Sequence, residues 1–146
     1  MCDPLLYFTT QSMNCFRDLV ILVVEDDEDG RELMQAILEQ RGANVIAAES
    51  VAQAFELLES TTPDIIVSDI GMPDEDGFAL VNRLRALPCE SGGRTPLIAV
   101  SAFAGHADRA RALAAGFDRY LHKPVDFDEL DATISSLVER AATARA

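Results

Sequence analysis

The chain has 146 residues, 49% of them in the hydrophobic set, which suits one domain with a buried core. Its 25 acidic residues against 12 basic ones give a net charge of −13, a surface that repels phosphate backbones and argues against DNA or RNA binding. Cys2, Cys15 and Cys89 fit neither a zinc motif nor a disulfide framework, no apolar run approaches a membrane span, and the N-terminus lacks the basic start of a signal peptide, so a soluble cytoplasmic protein with reduced thiols is expected.

Residues 1–18 fit no regular element, and Pro4, Thr9-Thr10 and Ser12 oppose a long helix there. They read as a poorly ordered extension, with Met13 a natural start and 1–12 dispensable. Residues 20–25 form an apolar run without polar alternation, as in a parallel strand covered on both faces. A helix over 29–41 places Leu33, Ala36, Ile37 and Gln40 at helical spacing, and Gly42 stops it. A second strand covers 44–48. Ser50 caps a helix facing inward through Val51, Ala54, Phe55 and Leu58. Pro63-Asp64 opens a third strand over 65–69, and the turn-rich stretch 71–77 leads to a helix over 78–87, ended by Pro88. Residues 89–94 are a surface loop. A fourth strand covers 96–101. An alanine-rich helix over 107–115 stops at Gly116. A fifth strand covers 118–122, and Asp126 caps a last helix to about Arg140, leaving 141–146 as a short tail. The domain is thus expected over 19–140.

Five successive strand–helix units predict an α/β fold: a doubly wound, five-stranded parallel sheet with helices on both faces. In the flavodoxin-like order 2-1-3-4-5, the ligand-binding crevice lies at the carboxyl edge between the first and third strands. Those strands end in Glu25-Asp26-Asp27 and Asp69, while the fifth ends in Lys123-Pro124. Carboxylates 4 Å apart repel by ~4 kcal/mol at an effective dielectric near 20, so a cation, a lysine or a proton must offset them. Hard oxygen donors from few side chains suit Mg²⁺, which readily adds a phosphate oxygen. A carboxylate can attack phosphorus to give an acyl phosphate, with Mg²⁺, Lys123 and the Ser101 hydroxyl as the expected stabilisers.

The motifs Val24-Glu25-Asp26-Asp27, Ser68-Asp69-Ile70-Gly71-Met72-Pro73, Val100-Ser101-Ala102 and Tyr120-Leu121-His122-Lys123-Pro124 resemble the receiver domain of two-component response regulators over about residues 19–140. Four such motifs in order, each at a strand end, make the resemblance specific. It implies that Asp69 is the phosphoacceptor and that Glu25 and Asp26 hold Mg²⁺, with the Gly71 carbonyl as a further ligand. Glu in place of Asp at 25 implies a water-mediated contact. The same resemblance implies that Ser101 turns toward the phosphoryl group, that Tyr120 is the aromatic switch swinging inward with it, and that Lys123 pairs with the phosphorylated aspartate across a cis Lys123-Pro124 bond. The implied partners are a histidine kinase or histidine phosphotransfer protein and a downstream protein, in a monomer or a phosphorylation-dependent dimer. No nucleic acid or membrane is implied.

Simpler readings compete at several positions. Asp27 and Asp29 read better as helix-start residues than as ligands. Ser101 can cap a helix, Tyr120 can be a half-buried strand residue, and His106 and His122 read as surface residues. Asp74-Glu75-Asp76 reads as a solvated loop and cap. An aspartate-nucleophile phosphatase usually has a second aspartate two residues after the nucleophile, where this chain has Gly71. A flavodoxin-like carrier needs a phosphate cradle where this chain is acidic. A phosphorylation-independent interaction module on the same fold usually lacks pocket residues that are present here. The chain is therefore read as a signalling phosphoacceptor rather than an enzyme. Gly71 and Phe103, offering no group to position a hydrolytic water, predict a persistent acyl phosphate.

Overall fold

The computed structural model describes residues 16–72, 76–102 and 106–145. Five strands form one parallel sheet: β1 (Val20–Val24), β2 (Asn44–Ala48), β3 (Ile65–Asp69), β4 (Leu97–Ser101) and β5 (Arg119–His122). Their order is β2-β1-β3-β4-β5, as expected. The helices are α1 (Glu28–Gln40), α2 (Val51–Ser60), α3 (Gly77–Arg85), α4 (His106–Ala115) and α5 (Phe127–Arg145). A short 3₁₀ turn over Cys89–Ser91 lies within the expected 89–94 loop. Among the described residues, no helix is long and apolar enough to cross a membrane.

The apolar strands divide their side chains between two cores because successive residues point to opposite faces. Leu22, Val24, Ile66, Leu97 and Ala99 face α2, α3 and α4 through Ala54, Leu80, Leu84 and Ala112. Ile21, Val23, Ile65, Val67, Ile98 and Val100 face α1 and α5 through Met34, Leu38, Leu130 and Ile134. The central strands β3 and β4 are buried at every position, whereas edge strand β2 is mostly half-exposed.

Local signals place the helix starts. Asp27 accepts from the Gly30 amide, Ser50 from Gln53, Asp76 from Ala79, and Asp126 from Asp128 and Glu129, so the first turns of α1, α2, α3 and α5 are capped. Gly42 and Gly116, with φ of 95° and 123°, supply the left-handed residues that close α1 and α4. Two side chains tie the far end of the sheet. Asp64 accepts from the Val20 amide, while its own amide donates to the Val20 carbonyl. Arg85 donates to the carbonyls of Gly93, Thr95 and Gly116 and to Asp118, whose carboxylate also accepts from Leu97.

Three expectations need correction. The buried stripe of α1 is Met34 and Leu38, not Leu33, Ala36 and Gln40; Leu33 is 54% exposed. Several adjacent apolar residues give two stripes one residue apart, and contact with the sheet selects the second. The packed unit also begins before residue 19. Phe16 is 1% exposed among the α1 and α5 core residues, and its amide donates to Arg41. Finally, α5 runs to Arg145 rather than ending near Arg140, because Ala141-Ala142 and the residues after them contain no helix breaker. The extension 1–12, Pro73-Asp74-Glu75 and Phe103 lie outside the described residues.

Candidate functional site

The carboxyl edge of the sheet gathers the acidic residues because parallel pairing puts the ends of β1, β3, β4 and β5 side by side. Glu25 and Asp26 follow β1 directly. Glu25 continues the pairing by one amide, donating to the Ala48 carbonyl. Arg31, on the first turns of α1, reaches back and donates to the carbonyls of Glu25 and Asp26 at 3.0 and 3.4 Å. Asp69 closes β3, only 8% exposed. Its Oδ1 accepts from the Gly71 amide at 3.2 Å, and its own carbonyl accepts from the Ser68 hydroxyl. Gly77 presses on the backbone here. Its amide donates to the Ile70 carbonyl, and a Cβ at this position would lie 2.8 Å from Ile70 Cα and 2.9 Å from the Asp69 carbonyl oxygen. Only glycine permits α3 to start this close to the end of β3.

Lys123 enters from the end of β5. Its amide donates to the Ser101 carbonyl at 2.7 Å, and the following Lys123-Pro124 bond is cis, as expected. Its Nζ lies 2.7 Å from Glu25 Oε1 and 3.3 Å from Asp69 Oδ2. One ammonium thus bridges two buried carboxylates. The closer partner is Glu25; the resemblance implies the pairing of Lys123 with Asp69 for the phosphorylated aspartate. Glutamate supplies the extra methylene that makes this reach.

Oxygen atoms of Glu25, Asp26 and Asp69 can be chosen so that all lie within 4.8 Å of one another. Glu25 and Asp69 are buried in this group, and Asp26 is exposed. Glu25 Oε2 is buried without a hydrogen-bond partner. Burial, followed by contact with Asp69, pushes the Glu25 carboxyl up to about 7, against the opposing pull of Lys123. For Lys123, burial favours the neutral amine, but the hydrogen bond to Glu25 and the Asp69 charge override it and raise the ammonium above the ordinary lysine range. A cluster of this kind carries more negative charge than one lysine neutralises. It offers hard oxygen donors and an unsatisfied carboxylate oxygen, which fits Mg²⁺.

The remaining expected residues are close by. Ser101 is 1% exposed at the end of β4, one residue past Val100, the register partner of Asp69. Tyr120 is only 9% exposed, packed in the core on the α3 and α4 side, so its ring already lies inward. Asp27 caps α1 rather than joining the cluster. His122 is exposed, with Nε2 3.2 Å from the Ala102 carbonyl oxygen. Sequence reasoning missed Arg31 and the close approach of Gly77. Arginine six residues beyond Glu25, on the turn above it, was the available signal for the first. A glycine directly after the Asp76 cap was the signal for the second.

The chain is similar to known proteins along most of its length. The response regulator receiver domain family matches residues 21–135. The chain is 46% identical over 118 residues to an uncharacterized 14.6 kDa protein of Leptolyngbya boryana, covering 81% of this chain and 88% of that one. It is 35% identical over 120 residues to the virulence transcriptional regulatory protein PhoP of Salmonella typhimurium, covering 82% of this chain and 52% of PhoP. The hybrid signal transduction histidine kinase D of Dictyostelium discoideum is 35% identical over 136 residues, 89% of this chain and 9% of the kinase. The chain therefore spans about half of PhoP and a small part of the kinase. Among solved structures, the Francisella response regulator 1452 receiver domain superposes with a TM-score of 0.77 at 30% identity, covering 85% of this chain and 99% of that one. The receiver domain of the sensor histidine kinase PA1611 of Pseudomonas aeruginosa, with a magnesium ion coordinated in its active site cleft, gives 0.75 at 32% identity, covering 83% and 98%.

Proposed function

The chain belongs to the response regulator receiver domain family of two-component systems, and from that membership we propose that Asp69 is its phosphoacceptor, charged by the phosphohistidine of a histidine kinase or phosphotransfer protein. The observation that carries this reading is the convergence of Asp69 with Glu25, Asp26 and Lys123 at one strand edge. In the transfer, an Asp69 oxygen attacks phosphorus and the donor's N–P bond breaks. The electron pair of that bond stays on the imidazole nitrogen, and an acyl phosphate forms on Asp69.

Each neighbour then has a task. Lys123, 3.3 Å from Asp69 Oδ2, pairs with the charge that arrives on the aspartate. Glu25, Asp26, Asp69 and the Gly71 carbonyl are the groups that would hold Mg²⁺, with Glu25 acting through water. When bound, the ion neutralises charge on the phosphoryl oxygens. The Ser101 hydroxyl turns toward the phosphoryl group. Tyr120, already buried, repacks with it and changes the face formed by α4, β5 and α5. That face addresses a downstream protein or a second copy of the chain, and phosphate held on Asp69 can also pass onward to another histidine. The setting is cytoplasmic, as for signalling receivers generally.

Incubation with phosphoramidate and Mg²⁺, followed by intact mass measurement, tests the reading. One phosphoryl group per chain is expected, with none on Asp69→Asn. No uptake by the native chain, or undiminished uptake by Asp69→Asn, overturns it.

A further inference from the structure

Gly30 stands where a helix ordinarily disfavours glycine. It is the third residue of α1 and does not adopt a positive φ, so its backbone demands nothing that alanine lacks. Intrinsic propensity ranks glycine below every residue but proline at such a position. What it provides is room. A Cβ built on Gly30 would lie 3.1 Å from Glu25 Oε1 and 3.7 Å from Glu25 Cγ. Its other near neighbour, Asp27 Oδ2 at 3.1 Å, is the exposed cap oxygen that accepts from the Gly30 amide.

Glu25 is more closely confined. Its Oε1 is held at 2.7 Å by Lys123 Nζ, which also reaches Asp69 Oδ2, and the residue is 5% exposed. A Cβ at position 30 would squeeze this oxygen between a methyl group and an ammonium. The carboxylate must then give by a few tenths of an ångström, against the 2.7 Å contact to Lys123, and this moves one corner of the three-carboxylate group.

The geometry points to Gly30 as a positioning residue, matched to glutamate at position 25: the missing Cβ seats the longer carboxylate within reach of both Lys123 and the cation site. An aspartate at 25 carries one methylene less and does not reach the space that Gly30 leaves open. The two positions form a pair, and the pairing rests on the acceptor-pocket reading above.

A double-mutant cycle on the full chain separates the two claims. Four forms are titrated with MgCl₂ and followed by amide NMR shifts: native, Gly30→Ala, Glu25→Asp and the double variant. Gly30→Ala alone is expected to weaken magnesium binding about threefold or more, while in the Glu25→Asp background it changes binding by less than about 1.5-fold, as for coupled contacting residues. Any loss in its melting temperature should be recovered in the Glu25→Asp background, where the crowding of the carboxylate is relieved and alanine favours the helix. Equal losses in both backgrounds, or none, overturn the pairing. So does a lowered melting temperature that Glu25→Asp fails to restore. If the native chain shows neither a magnesium-dependent shift nor phosphate uptake from phosphoramidate, the acceptor reading fails instead.

Discussion

Replacing Glu25 by glutamine should stabilise the metal-free protein at alkaline pH and have little effect at acid pH. The Glu25 carboxyl is pushed up from 4.5 to about 7, chiefly by burial. The folded state therefore takes up a proton where the unfolded chain has already lost one. Stability from this site is complete below about pH 4.5 and is lost as pH rises to about 7. Between those limits the ionised form forfeits roughly 3 kcal/mol, taking the rise from 4.5 to about 7 at about 1.36 kcal/mol per unit. Glutamine removes the ionisation and, like the protonated acid, offers Lys123 a neutral oxygen; the pull of Lys123 on the charge is already contained in that rise. The net gain is roughly 3 kcal/mol at pH 8, falling below about 1 kcal/mol at pH 5. Urea unfolding in EDTA at pH 5, 6, 7 and 8 measures it. At pH 8 the midpoint should rise by about 1.5 M, given a urea slope near 2 kcal/mol per molar. A gain of the same size at every pH would refute the reasoning, because it would not arise from ionisation. A loss at pH 8 would show that the bridge to Lys123 outweighs the cost of burying the charge.

Three further outcomes are expected from the packing. Gly77→Ala sets a Cβ 2.8 Å from Ile70 Cα and should cost about 2–3 kcal/mol by thermal or chemical unfolding, as for overpacking against an immovable backbone. Arg85→Met keeps the stem volume but strips partners from the carbonyls of Gly93, Thr95 and Gly116 and from Asp118; a loss of about 2–4 kcal/mol in urea unfolding is expected. Phe16→Ala empties a fully buried site between the sheet and α1 and should cost about 3–4 kcal/mol in the same assay, whereas a value under ~1 kcal/mol would return the edge of the packed unit to residue 19.

The strands and the acidic edge were legible in the sequence because both are local. A run such as Ile65-Ile66-Val67 declares a strand buried on both faces, and Asp69 at its end declares where the polar edge begins. Helix starts were equally local, since Asp27, Ser50, Asp76 and Asp126 each cap within three residues of themselves. The acidic residues and Lys123 could be placed at one edge from the strand order alone.

What the chain by itself left open was every question of which atom meets which across the fold. The 3.6-residue period allows two apolar stripes on α1, and only docking against β1 and β2 turns Met34 inward and leaves Leu33 in solvent. Phe16 has no periodic neighbours to announce it, so its place in the core appears only once α1 and α5 surround it. The carboxylate pocket follows the same division. Sequence determined that Glu25, Asp26, Asp69 and Lys123 share an edge, because strand ends are set by local apolar runs. Tertiary structure decided that Lys123 leans on Glu25 more closely than on Asp69, that Arg31 donates to the carbonyls of Glu25 and Asp26, and that Gly30 leaves room beside Glu25 and Gly77 beside the end of β3. Those contacts depend on side-chain reach and helix placement to within an ångström, which no spacing along the chain encodes.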